Sequence, residues 1–128
     1  MYVFLDYLFV TFHGLWVLFN LLGWAWRKTR PWQLVTSGLT IASWFGLGLF
    51  YGFGYCPCTD WHWQVKRKLG AADLPASYVK YYADHLTGLD WQTTVVDVVT
   101  VAVGVGVFLL SCCLNWRDWR RAKRLDAV

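Results

Sequence analysis

The run LVTSGLTIASWFGLGLFYGFGY, Leu34 to Tyr55, followed at once by CPCTDWHW, Cys56 to Trp63, decides the fold. The first part carries no charged residue. It is also long enough to cross a hydrocarbon core of about 30 Å, which takes roughly 20 mostly apolar residues in a helix. The second part sets two thiols, a carboxylate and an imidazole at the mouth of that helix. Such a stretch is either a site or a tight turn with aromatic anchors, and the residue types alone leave both open.

Working outward, two more stretches meet the same length requirement, Tyr7 to Trp26 and Val95 to Leu114. Of the 128 residues, 57% are hydrophobic, 20% are aromatic and ten are Trp, a profile of a lipid-embedded chain and not of a small soluble domain. The expected fold is an all-α membrane protein. One domain, residues 1–128, holds transmembrane helices over about 4–26, 34–55 and 93–115, an outer loop 56–91 and a cytoplasmic tail 116–128. No Lys or Arg precedes Arg27 and no small-residue cleavage site follows the first apolar run, so that run is expected to stay as a signal anchor.

Orientation follows from the basic residues, because cytoplasmic loops carry the excess of Lys and Arg. Arg27, Lys28 and Arg30 lie in the first connection, and Arg117, Arg120, Arg121, Lys123 and Arg124 in the tail, which puts both on the cytoplasmic side. The second connection balances Lys66, Arg67, Lys68 and Lys80 against Asp60, Asp73, Asp84 and Asp90 and is expected to face outward, with the N-terminus. The net charge of +4 is explained by these flanks, whose nearest partner is anionic lipid headgroups, with Arg27, Lys28, Arg30, Arg117, Arg120 and Arg121 as the contacts. Nucleic-acid binding is not indicated. Trp24, Trp26, Trp32, Trp116 and Trp119 read as the inner aromatic belt, and Tyr55, Trp61, Trp63 and Trp91 as the outer one.

The first connection contains Pro31 and is short, so the first two helices form an antiparallel hairpin. Two short interfacial helices are expected in the outer loop. Asp60 would cap the first, with Trp61, Val65 and Leu69 on one face and Gly70 as its stop. Pro75 would start the second, with Tyr78, Tyr82 and Leu86 at four-residue spacing and Gly88 as terminator.

Polar residues recur within the apolar runs. Asp6, His13 and Asn20 repeat every seven residues, which keeps them near one face. Thr93, Asp97, Thr100, Gly104 and Ser111 form a second seam, and Gly38, Ala42, Gly46, Gly48 and Gly52 give the second helix spacings that permit close approach. Asp6, His13, Asn20 and Asp97 are the candidate intramembrane site, serving either as interhelical hydrogen-bond partners or to handle a proton, a cation or a substrate. Asp6 and Asp97 fall at a similar depth, near the outer boundary. Cys56 and Cys58, with His62 four residues on, are candidates for redox or soft-metal chemistry, against the plainer reading of a turn with packed thiols. No nucleotide loop, Ser-His-Asp order or zinc-protease helix is present, so no catalytic residue is assigned and the chain reads as non-enzymatic.

These residues resemble a bacterial family of small integral membrane proteins, domain of unknown function 2784. The resemblance covers nearly the whole chain: the block from His13 through Phe19 to Gly23, the Cys56-Pro57 turn with Thr59, the basic stretch Lys66 to Lys68 before Gly70, the aromatic segment Tyr78 to Leu86, and Asn115. The usual family pattern has Glu where this chain has His62, and Leu where it has Cys58. The resemblance implies membrane topology and carries no activity or cofactor; a bacterial inner membrane is the expected location.

Two functions are expected on these grounds. The first is an accessory or scaffolding subunit that packs as a homo-oligomer or in a larger membrane complex, since three helices bury little surface alone. Its rival is an outward-facing proton, metal-ion or thiol-redox site used in transport or electron transfer. A membrane-impermeant thiol reagent applied to intact cells should label Cys56 or Cys58 and spare Cys112 and Cys113; the reverse pattern would invert the topology.

Overall fold

The computed structural model describes residues 1–126. All regular structure among them is helical, and three helices are long and apolar enough to cross a membrane: Tyr2–Ala25, Arg30–Tyr51 and Thr93–Asp126. The first consists of α1 (Tyr2–Leu22) tightened into a 3₁₀ turn over Gly23–Ala25. The second begins as α2 (Arg30–Ala42) with Pro31 in its first turn, where a missing N–H costs nothing. It passes through a π-helical turn, Ser43–Leu47, and closes as α3 (Gly48–Tyr51). Gly52, at φ 105°, ends the rod four residues before the expected Tyr55, because that backbone conformation is open to glycine and strained for other residues. The chain then doubles back, with Ser43 Oγ donating to the Tyr55 carbonyl at 2.8 Å.

Two short helices follow, α4 (Pro57–Lys68) and α5 (Tyr78–Thr87). Their starts differ from the expected ones. Cys56, in extended conformation, precedes α4, and Pro57 opens it, so Asp60 sits inside the first turn and not at the cap. There it still faces the positive end of the helix dipole, while Lys66, Arg67 and Lys68 occupy the negative end. Helix α5 starts at Tyr78, three residues after Pro75, the expected start, because the Ser77 side chain accepts from the Lys80 N–H at 3.4 Å. Gly88, left-handed at φ 68°, ends it as expected.

The last helix, α6 (Thr93–Asp126), does not stop near residue 115. Its 34 residues span about 51 Å, well beyond a hydrocarbon core. The segment read as a tail is therefore a helical extension as far as Asp126; residues 127 and 128 lie outside the described part.

Packing is inverted relative to a soluble protein. Among the described residues only Trp63 and Val65 are buried apolar side chains, against His13, Arg30, Gln33, Ser37, Thr59, His62, Lys80 and Ser111 on the polar side. Large apolar side chains face outward, as at Leu49 and Phe50, which are 84% and 82% exposed. Helix α2 packs chiefly on α6, and α1 chiefly on α4. The helix contacts are polar or use glycine to admit a side chain. Trp16 Nε1 donates to Thr40 Oγ1 at 3.1 Å, Gln33 Nε2 to the Asn20 carbonyl at 2.8 Å and Thr36 Oγ1 to Asn20 Oδ1 at 3.0 Å. The glycines of the second rod do not form the expected backbone seam. Gly38 receives the Phe108 ring, a Cβ at Gly46 would meet nothing within 4 Å, and the close fit lies on the other side, where Gly104 of α6 receives Trp44.

The hairpin turn holds a second close contact of this kind. A Cβ at Gly23 would lie 2.9 Å from both Cβ and Cγ of Gln33, itself fully buried. Gly23→Ala should therefore destabilise the hairpin by about 1–3 kcal/mol, the range for overpacking, read as a lower unfolding midpoint in detergent. Gly106→Ala, with open space around the added methyl, should not.

Candidate functional site

Asp6 lies one turn into α1, and α4 crosses that helix so that two of its residues, His62 and Lys66, reach the same carboxylate. They are one helical turn apart on α4 and therefore share a face. His62 Nε2 lies 2.7 Å from Asp6 Oδ1, and Lys66 Nζ lies 2.9 Å from the same oxygen. A carboxylate that already takes a proton donor from Lys66 can only accept from the imidazole, so His62 carries its hydrogen on Nε2 and donates it. Its Nδ1 is then a lone pair. That atom is buried and has no hydrogen-bond partner among the described residues.

Aromatic rings enclose the imidazole, which is 0% exposed. Phe9 stacks on it at 5.5 Å between centroids, and Trp63 and Tyr78 lie at 5.3 and 5.9 Å. Tyr78 also stacks on His13, two turns along α1 from Asp6, at 3.7 Å. His13 is buried too, and its Nδ1 likewise has no partner. Tyr78 thus lies against two imidazoles, each with an unpaired nitrogen. Trp63 Nε1 donates to the Pro75 carbonyl at 2.6 Å, which ties the α4–α5 connection over the cluster.

Charge within the cluster follows from burial and from Asp6. Burial lowers the His62 pKa, and the Asp6 carboxylate only partly opposes it, so the imidazole stays below its ordinary value and is neutral near pH 7. Burial works against the Lys66 ammonium as well, but there the Asp6 hydrogen bond prevails and the pKa is raised. Burial pushes the Tyr78 phenol up, with the neighbouring Tyr82 hydroxyl adding to it. The Cys58 thiol is raised by burial and then by Cys56, so it is held as the unreactive thiol.

The residues singled out in the sequence divide among several places. Asp6 and His13 join the loop-end cluster, but Asn20 does not; it bonds α1 to α2 through Thr36 and Gln33. Asp97 is half-buried and makes no hydrogen bond or ion pair among the described residues, whereas Asp6 has the two basic partners on α4. Cys56, Cys58 and His62 do not converge as a ligand set, because Asp6 holds the imidazole and both thiols are free. Among the described residues no group of three or more His, Cys, Asp or Glu is arranged to hold a metal ion.

Other expected surface roles change as well. Trp63, 4% exposed, is core and not belt, whereas Trp61, Leu69 and Leu86 are exposed. The buried face of α4 is Thr59, His62, Trp63 and Val65, set by contact with α1 and α5. Arg30, expected at lipid headgroups, is buried. Its Nη1 meets Asp118 Oδ2 at 2.7 Å and its Nε donates to the Trp24 carbonyl at 2.8 Å. Arg27 leans on the other Asp118 oxygen at 3.6 Å, while Lys28 stays exposed.

Sequence reasoning missed Lys66 and Tyr78 as members of the cluster. In the sequence Lys66 stands only as part of the basic stretch Lys66 to Lys68, although its spacing of four from His62 is the available signal. Comparison with known proteins adds a family and no activity. No curated protein and no solved structure matches the chain. The family described as Protein of Unknown function (DUF2784) matches residues 3–116, nearly the whole chain, and the protein belongs to that family.

Proposed function

We propose that the protein is a small bacterial inner-membrane protein that takes up and releases a proton at the Asp6–His62 pair on the outward side of its bundle. The observation that carries this reading is the oriented imidazole. Asp6 fixes the proton on Nε2 at 2.7 Å, and Nδ1 keeps an unpaired lone pair in a buried setting. A carboxylate-oriented imidazole is the arrangement used by general bases and by metal-binding histidines. The absence of a converging ligand set among the described residues favours the proton over a metal ion, and the raised Cys58 thiol disfavours redox exchange. The outward assignment rests on the basic residues of the opposite end.

The sign of the pH dependence follows from the depressed His62 pKa. Above about pH 6.5, the ordinary imidazole value, the ring is neutral whether α4 is docked or released, and docking is at full strength. As the pH falls below that, the released form binds a proton that the docked form resists. Docking is then lost progressively until the docked pKa is reached. Histidine-selective NMR of the protein in nanodiscs should give a His62 pKa below the ordinary value, and Asp6→Asn should lower it further by removing the carboxylate that supports the imidazolium. A His62 that titrates at or above the ordinary value, or that ignores Asp6→Asn, would sink the proposal.

A second reading, the accessory or scaffolding subunit, draws on three glycines. Gly14, Gly46 and Gly106 have open space where a Cβ would stand, on helices whose apolar faces are bare. Small residues on such faces are what membrane helices use to approach one another. Chemical crosslinking in the native membrane should then trap a homo-oligomer or a larger complex, and recovery of the monomer alone would remove this reading.

A further inference from the structure

The extension of α6 beyond its apolar run carries the sequence WRDWRRAKRLD, Trp116 to Asp126. Asp118 faces the bundle, where it pairs with Arg30 at 2.7 Å and Arg27 at 3.6 Å, and this contact fixes the rotation of the helix. At about 100° per residue, Arg117, Arg120, Arg121 and Arg124 then fall within a stripe roughly 100° wide, on one flank of the Asp118 face. Trp116, Trp119 and Lys123 fall on the opposite flank. No carboxylate is paired with any of the four arginines among the described residues, and together with Trp116 they line a shallow groove.

The aromatic flank is ordered by its own contacts. Trp116 and Trp119 lie 5.0 Å apart, Arg120 sits over the Trp116 ring at 5.0 Å, and Lys123 sits over Trp119 at 4.0 Å. Both indoles are about half exposed, as a ring seated between hydrocarbon and headgroup would be. Depth selects the ligand atoms. With the apolar run ending at Leu114, Arg117 to Arg121 lie about 4 to 10 Å further along the helix, the depth of the headgroup layer. Arg124 lies a turn beyond it.

From this geometry we infer that Arg117, Arg120 and Arg121 form a binding site for the phosphate of anionic phospholipid headgroups, with Arg124 adding charge at its outer rim. Guanidinium groups suit the task because each offers a planar fork of donors to phosphate oxygens. The Arg30–Asp118 pair sets the site without belonging to it: it withdraws the Asp118 carboxylate and turns the arginines outward. Arg30 of the first connection is excluded for the same reason, since it is buried against Asp118.

The test is lipid binding to the full-length protein in detergent, followed by native mass spectrometry. Phosphatidylglycerol should bind and phosphatidylcholine should bind far more weakly. Added salt should weaken the phosphatidylglycerol adduct of the unmutated protein, a readout that needs no variant. R117Q, R120Q and R121Q should each cost about five-fold in affinity, while the corresponding Lys variants, which keep the charge but lose the fork, fall between, and Lys28→Gln leaves it unchanged. Phosphatidylcholine bound as tightly as phosphatidylglycerol, an adduct indifferent to salt, or a triple R117Q/R120Q/R121Q variant with full affinity would overturn the inference. Inorganic phosphate that displaced the lipid at equal concentration would do the same, because the site would then be one for free phosphate.

Discussion

Polar groups on helices surrounded by hydrocarbon have only one another for partners, and that constraint organises this molecule. Without water, an unsatisfied polar group costs several kcal/mol, whereas an apolar side chain gains little by leaving lipid for protein. The interior therefore collects Gln33, Ser37, His13 and Ser111, and the leucines and phenylalanines face out. The asparagines of the spans are spoken for by different neighbours. Asn20 takes donors from α2 on both its backbone and side-chain oxygens. Asn115 of α6 donates to Ser111 within its own helix and to the Arg30 carbonyl across the bundle.

The two ends of the bundle use this constraint differently. At the end of the short connection, the buried Arg30 guanidinium is answered by Asp118 and by the Trp24 carbonyl, a closed arrangement that leaves only Asp118 Oδ1 to the more distant Arg27. At the loop end, one Asp6 oxygen serves both His62 and Lys66, and two imidazole nitrogens are left over. The first is a structural clamp built on the Arg30–Asp118 pair. The second leaves two buried imidazole nitrogens without partners, which is what gives the loop end its chemical character.

Helices α4 and α5 are what make the loop end different. Among the described residues they bring the only buried apolar side chains, Trp63 and Val65, and a run of neighbouring rings from Trp63 through Tyr78 and Tyr82. This is a small soluble-type core laid over the end of a membrane-type bundle. Its burial of His62 lowers the imidazole pKa, and its contact with α1 supplies the carboxylate that partly restores it. Site and cap are therefore one object, since releasing α4 removes both influences at once.

The amino-acid sequence by itself determined the number and nature of the spans, the hairpin at Pro31, two short helices in the loop and their stops at Gly70 and Gly88. Each of these is set within a few turns of chain, by the length of an apolar run, a fixed proline φ or a glycine able to take positive φ. The heptad of Asp6, His13 and Asn20 marked one face of α1 correctly, but not that its members would serve three different partners. That choice depends on where α4, α5 and α2 cross α1. Asp6 meets His62 across 56 residues, and Arg30 meets Asp118 across 88. Only the tertiary structure decided these pairings, because they depend on the rotation and depth at which distant helices pack, and the same residues read locally as a metal-binding turn, a solvated basic run and a lipid anchor.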